Sequence, residues 1–555
     1  MFTKGKGIIM SNVKSRQIKS EEVPARPPRQ GFSPGRTVLF SAVWALVAGV
    51  AASLCATLVM GLLRLLAGIP TPVEMFGDYV LKHINVDQFI RLLMTYGPNA
   101  KTAPLGQALL AMIAIGTALG WLYALLVWIK LPARGYRPAR REWLVALAFA
   151  LLMTLAGVIL FWKELPQNFL GWPFDMARIL SIVGMLCDFG VYGVVLCLGY
   201  RALLPKYPAP NSDRVVARRR QLLARSGVVA LGVGAGLGTF GSIQKFLDNY
   251  TAYDGIKTSF PNHTDYPITP NNDHYVVTQN PVDPSVDINL WRLEVGGLVN
   301  KLGTYTYEEL QKLPSTARAI TLECIANGPG GHLMGNAVWH GVPLRTLIEQ
   351  QGGTQPGAKY IAFYCADGYN TSLPLQEVLE ADPLLAWNMN GVDLPKRHGY
   401  PLRVLIPGRY GEENPKWLTR IEFVGDFVQG LYSSQGWYNG VLRTTSRFNQ
   451  PFTGNVFQVG QQVPMVGIAF AGNRGIQRVE VSDDGGTTWK EAKLDPAFSK
   501  DSWVFWRMDW RPTRAGTYTL AVRATDGTGE VQTGRKQNTV PNGSTGYHIV
   551  TVTAK

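Results

Sequence analysis

Thr321-Leu322-Glu323-Cys324-Ile325-Ala326-Asn327 is a short β-rich run that leads into a turn containing Gly328, Gly330 and Gly331. The pattern predicts a strand that closes on a cysteine, followed by a turn that fixes where a thiolate can point. A lone cysteine at a strand end is commonly just a small buried side chain, so its neighbourhood has to decide its role. From 265 to 450 short β-rich runs such as Trp291-Arg292-Leu293-Glu294-Val295 alternate with helical ones such as Tyr307 to Leu313. This predicts a mixed α+β domain. Beyond it, Val481-Ser482-Asp483-Asp484-Gly485-Gly486-Thr487-Thr488-Trp489 sets a turn between strands, and Tyr518 to Asp526 alternates apolar with polar. A β-sandwich of about 100 residues is expected there.

Upstream the solvent changes. Apolar segments at 38–63, 105–129, 143–162 and 179–204 each reach the roughly 20 residues that cross a bilayer. Helix is the conformation lipid permits, because it satisfies its own backbone hydrogen bonds. Stretch 1–36 holds eight Lys or Arg against two acids, 130–142 five against one, and 201–225 seven against one. The intervening 68–104 and 163–178 are balanced, at three against three and two against two. The positive-inside bias makes the first set cytoplasmic and the second external loops. Most of the net charge of +15 sits in these flanks, so it signals topology and not nucleic-acid binding. Asp188, deep in the fourth segment beside Cys187, is a candidate for a proton path or a quinone contact, with a structural carboxyl as the alternative.

Residues 218–242 begin Arg218-Arg219-Arg220-Gln221-Leu222-Leu223 and continue as a weakly apolar run rich in Gly and Ala. The Arg219-Arg220 pair resembles an internal twin-arginine export signal, and a fifth helix with a basic flank is the alternative. Either way everything after residue 245 is expected outside the cytoplasm. The basic, proline-bearing tail 1–36 is expected to be disordered. The five cysteines form no CxxC or CxxCH pattern, which excludes zinc ribbons, attached c-type haem and a disulfide framework. His83 is the one histidine among the first 250 residues, so haem within the membrane is not expected.

Around Cys324 an ordered series of motifs accumulates. Gly335-Asn336-Ala337-Val338-Trp339-His340-Gly341-Val342-Pro343-Leu344 is followed by Asp367-Gly368-Tyr369, Met389-Asn390-Gly391 and His398-Gly399-Tyr400-Pro401-Leu402-Arg403. Pro407-Gly408-Arg409-Tyr410-Gly411 and Lys416-Trp417 close it. This series resembles the molybdopterin-binding domain of the sulfite oxidase family across residues 265 to 445. The resemblance implies a molybdenum-molybdopterin cofactor with Cys324 as the thiolate ligand to molybdenum. It further implies that Arg403 and Lys416 bind the pterin phosphate, His398 hydrogen-bonds the cofactor, Cys365 packs beside it, and Asn272 with Tyr275 covers the pterin. His332, His340 and Tyr369 are candidate proton donors, with a structural role as the alternative.

The expected architecture is therefore multidomain. It comprises a basic tail (1–36), an all-α bundle of four transmembrane helices (37–205), a linker with the twin-arginine-like fifth segment (206–245), an α+β molybdopterin domain (246–450) and an immunoglobulin-like β-sandwich (451–555). The sandwich resembles the family's dimerisation domain, which implies a homodimer. Sulfite oxidases place arginines after the ligand cysteine and in the entry strand; here stand Asn327-Gly328-Pro329-Gly330 and Thr278. Without that cationic pocket the expected function is two-electron oxygen-atom transfer on a small or sulfur-containing substrate, with sulfoxide reduction as the alternative to sulfite oxidation. Electrons would be exchanged with a separate cytochrome or a quinone. A receptor or assembly module with a metal-free fold is the alternative of a different class, disfavoured because such a module needs no metal thiolate.

Overall fold

The computed structural model describes residues 33–96, 102–207, 214–248, 266–279 and 282–555. Nearly all of the basic tail, and residues 249–265, lie outside the described residues. Seven helices come first: α1 Pro34–Ala67, α2 Pro72–His83, α3 Val86–Tyr96, α4 Thr102–Val127, α5 Arg140–Leu160, α6 Phe174–Leu203 and α7 Arg214–Asp248. Five of them, α1, α4, α5, α6 and α7, are long and apolar enough to cross a membrane. Side chains such as Leu110, Ile159 and Leu237 are about 70% exposed on their outer faces (69%, 71% and 69%), a surface suited to lipid and not to water.

Two expectations are resolved here. The fifth apolar segment, expected as a twin-arginine-like run or as a fifth helix, takes the second form: Arg219 and Arg220 lie inside α7, a continuous helix that packs along α1. The glycines of α7 permit that approach. A Cβ at Gly238 would stand 2.9 Å from Leu58, and one at Gly232 would stand 3.2 Å from Ala51, the small-residue packing of membrane helices. The stretch 68–104, expected as a loop, carries α2 and α3. A capping box starts α2, with Glu74 N donating to Thr71 Oγ1 at 3.0 Å and Thr71 N to Glu74 Oε2 at 2.8 Å, and Pro72 occupies its first turn.

The β-rich half begins with ten strands. They are β1 Leu293–Gly297, β2 Gly303–Tyr305, β3 Thr316–Glu323, β4 Met334–Pro343, β5 Tyr360–Cys365, β6 Asn370–Pro374, β7 Leu384–Met389, β8 Val392–Asp393, β9 Arg403–Leu405 and β10 Leu418–Val424. One sheet runs β2-β1-β10-β5-β6, and a second runs β3-β4-β7-β8 with β9 on β7. Trp291, Phe363, Phe423 and Trp387 belong to one buried core that draws on both sheets, as an α+β layer arrangement requires. Eight further strands between Thr445 and Ala554 are hydrogen-bonded in one path. Met465 and Trp506 from one part of that path meet Val479, Leu520 and Val552 from the other in a single core.

The helical unit docks directly on the β-rich half. Gln435 Nε2 donates to Leu81 O at 2.7 Å. Asn168 N donates to Ala366 O at 3.2 Å, and Asp287 N donates to Leu170 O at 2.9 Å.

Candidate active site

Cys324 follows the last residue of β3, where the chain turns back toward β4. Cys324 N donates to Leu333 O at 2.9 Å and Asn327 N to Cys324 O at 2.8 Å. The Asn327 side chain ties the same turn down: its Nδ2 donates to Glu323 Oε1 at 2.8 Å, and its Oδ1 accepts from Leu333 N at 3.0 Å. Loops of the C-terminal unit buttress it from outside, with Ser544 Oγ donating to Asn327 O at 2.6 Å.

The thiol lines a cavity of about 350 Å³ that Tyr275, Tyr369, His398, Arg403 and Lys416 also line. Five of the candidate positions thus converge with Cys324. Arg403 opens β9 and is buried, its Nη1 donating to His398 O and its Nη2 to Asn414 O, both at 3.1 Å. Lys416 donates to Arg397 O at 3.0 Å and lies 4.2 Å from the Trp417 ring centroid. Trp417 holds a left-handed backbone at φ 54°, an uncommon conformation for a bulky residue and one that gathers at functional sites. Gly399 (φ 116°) lies so close that a Cβ there would stand 2.9 Å from Lys416 Cβ. A Cβ at Gly411 would stand 2.6 Å from Tyr275 Oη, so glycine there keeps room for that phenol.

Other candidates fall elsewhere. Asn272 is exposed and does not line the cavity; its neighbour Asn271 does the local work, its carbonyl bonded to His398 Nε2 at 2.9 Å. Cys365 is buried at the end of β5 behind the cavity wall. His332 is off the wall as well, because the turn at Gly331 sends its ring to the Arg447 guanidinium of the C-terminal unit. His340 sits in β4 against the Trp387 ring at 5.6 Å. Tyr369 does line the cavity, with its hydroxyl donating to Glu412 O at 2.5 Å.

Sequence reasoning missed His274, Glu412 and Phe89, all of which line the cavity. His274 stacks on Tyr275 at 5.4 Å and meets the His398 ring edge-on at 5.3 Å. Burial drives both imidazoles to neutrality, lowering His274 to about 4 and His398 to about 2. Burial also pushes the Glu412 carboxyl well above the usual carboxylate range, with Glu413 nearby adding to the effect. An acid beside the cavity is the only signal the sequence offered for Glu412, in Gly411-Glu412-Glu413-Asn414.

Charge is unevenly spread. Burial lowers Arg403 to about 10 and Lys416 to about 8, with Asp283 opposing the shift of the Lys416 ammonium and Arg403 adding to it. Burial and the Glu412 carboxyl together push the Cys324 thiol up to about 12. Several buried polar atoms on the wall have no hydrogen-bond partner among the described residues: Arg403 Nε, Tyr275 Oη and Thr278 Oγ1. Buried polar groups are normally paired. A soft thiol that a metal would deprotonate on binding, buried cations on the same cavity and polar atoms left unpaired between them fit a ligand carrying a metal at one end and a phosphate at the other.

Two family comparisons agree with this geometry. The oxidoreductase molybdopterin-binding domain matches residues 279–432, and the molybdenum-cofactor oxidoreductase dimerisation domain matches residues 441–554. Sulfite oxidase of Arabidopsis thaliana is 28% identical over 48% of this chain and 82% of its own length. Inducible nitrate reductase 2 of Glycine max is 30% identical over 47% of this chain but 36% of its own length. A subunit from Azospira oryzae whose name assigns it to protein-methionine-sulfoxide reduction is 32% identical over 28% of this chain and 58% of its own. Residues 279–432 and 441–554 thus carry the molybdopterin-binding and dimerisation domains of a molybdopterin oxidoreductase similar to sulfite oxidase, and the cofactor is molybdenum-molybdopterin.

Proposed function

We propose that this chain is a membrane-anchored molybdenum oxidoreductase that catalyses two-electron oxygen-atom transfer on a small, uncharged, sulfur-containing substrate outside the cytoplasm. The observation that carries it is the convergence of Cys324 with Arg403 and Lys416 on one cavity. Cys324 would ligate the metal, Arg403 and Lys416 would hold the phosphate, and His274, Tyr275 and His398 would contact the pterin. Bound there, molybdenum exchanges an oxygen atom and two electrons with a substrate. The chain's own residues set what that substrate is. The charged groups that act on the Cys324 thiol are the acids Glu412 and Glu323, and Asn327-Gly328 and Thr278 stand where sulfite oxidases place arginines, so the cationic pocket that would attract a dianion such as sulfite is not built there. A Glu412 carboxyl that stays protonated can donate a hydrogen bond, and then a proton, to the oxygen of a bound sulfoxide.

The five apolar helices and the charge asymmetry of their flanks support the anchor and the external position of the site. The C-terminal unit is read as an immunoglobulin-like dimerisation domain, making the protein a homodimer. A cytochrome or a quinone would serve as electron carrier. The test is a screen of the purified full chain with artificial redox dyes, comparing sulfite oxidation with reduction of dimethyl sulfoxide and free methionine sulfoxide. Sulfoxide turnover with little sulfite turnover is expected; efficient sulfite oxidation would overturn the substrate assignment.

A further inference from the structure

The cavity wall is not made by the catalytic half alone. Phe89, from the first turn of α3, lines it together with Tyr432 and Trp437. The residues beside it, Asp87 and Gln88, are exposed, while Phe89 is 3% exposed. Its ring stands 5.9 Å from the Trp437 ring at 64°, and Trp437 in turn lies 4.4 Å from the Tyr432 ring. Tyr432 continues to Tyr369 at 5.9 Å, so a row of aromatic side chains joins the helical unit to the interior of the site.

The position of Phe89 is fixed at both ends. Asn85 caps α3, its Oδ1 accepting from Gln88 N at 2.9 Å while Gln88 Oε1 accepts from Asn85 N at 3.1 Å. Leu81, Phe89 and Leu431 form one buried cluster with Ile84, Leu92 and Trp437. Gln435 Nε2, donating to the Leu81 carbonyl at 2.7 Å, holds α2 against the same segment. On the far side Phe174 meets the Tyr364 ring at 5.6 Å. A side chain clamped in this way cannot swing aside without undocking the helical unit.

We propose that Phe89 is a specificity-determining residue: α3 closes the cavity with an apolar wall that admits a compact, uncharged substrate and turns away a bulky one. This rests on the cavity being the substrate site. A rigid aromatic edge discriminates by size and not by charge, because adding bulk on that side forces overlap with a ring that has no space to yield.

The test has two arms. In the first, the full chain is produced in a host unable to make the cofactor, and Cys324 is labelled with methyl methanethiosulfonate or with fluorescein maleimide and followed by peptide mass spectrometry. Phe89→Ala is expected to raise the bulky-to-small labelling ratio by about tenfold, and Phe89→Trp to lower it below wild type. An unchanged ratio in Phe89→Ala, or a raised one in Phe89→Trp, would overturn the proposal, and this arm reads the wall whether or not the substrate assignment holds. In the second, the loaded enzyme is assayed with dimethyl sulfoxide and methyl phenyl sulfoxide. Phe89→Ala is expected to shift kcat/KM toward the aryl substrate by about tenfold. No shift, with both substrates turned over, would overturn the proposal. Turnover of neither substrate, alongside the labelling shift, would count against the sulfoxide assignment alone.

Discussion

Gln435 and Leu81, 354 residues apart in sequence, are joined by a buried hydrogen bond of 2.7 Å from the Gln435 side-chain amide to the Leu81 carbonyl. It ties the helical unit to the segment that carries Tyr432 and Trp437 of the cavity wall, and it sits beside the aromatic cluster that holds Phe89. A buried carbonyl that loses its donor costs about 1–3 kcal/mol. Gln435→Ala is therefore expected to speed amide exchange in 72–96 and 431–437 while β3 and β4 exchange as in wild type. Equal exchange in α2 and α3 of the variant would contradict a docked helical unit.

Arg403 spends two nitrogens on the carbonyls of His398 and Asn414 and keeps Nε without a partner. Arg403→Met removes both the fork and the charge, and its bound pterin content is expected to fall by about tenfold or more. Arg403→Lys keeps the charge without the fork, so its content is expected to lie between the two. Pterin release and fluorescence measure it, and wild-type content in Arg403→Met would contradict the phosphate role.

Glu412 and His332 offer a contrast in activity. Glu412→Gln keeps size and hydrogen bonding but cannot give up a proton, so kcat is expected to fall by about a hundredfold. His332, turned to Arg447 and away from the cavity, is expected to tolerate Gln with kcat within about threefold of wild type. Loss of activity in the His332 variant with Glu412→Gln unaffected would reverse these assignments.

Glu323 predicts a pH dependence. Burial raises its carboxyl to about 7, against the lowering effect of its bond from Asn327. A carboxyl raised on folding contributes stability below its unfolded value, and that contribution is lost as pH rises through the folded value. From pH 4.5 to 7 its share should therefore decline, by up to about 3 kcal/mol. Glu323→Gln should flatten the thermal stability profile across that window; an unchanged slope would mean that Glu323 is ionised in the fold.

What the sequence could reveal depended on whether the signal was local. Cys324, Arg403 and Lys416 each sit in a short motif with its own strand or turn chemistry, and their order along the chain made them legible together. Asn272 is exposed by a tight turn, which hands the inward contact with His398 to Asn271. His332 follows Cys324 closely in sequence, but the left-handed Gly330 (φ 80°) and the turn it makes point the imidazole at a different unit. Helix α2 did announce itself, in Thr71-Pro72-Val73-Glu74, yet the balanced charge of its surroundings read as loop. α7 was ambiguous because glycines that weaken an isolated helix are what let it lie against α1. Phe89 had no signal at all: its meaning comes from Trp437, and no pattern within α3 points there.

The central claim is that Cys324 binds molybdenum. Metal analysis of the purified full chain and of Cys324→Ser, produced side by side in a host that makes the cofactor, tests it most directly. About one molybdenum per wild-type chain and a severalfold lower content in the variant are expected, since serine removes the soft thiolate ligand. Equal, negligible molybdenum in both proteins would contradict the account.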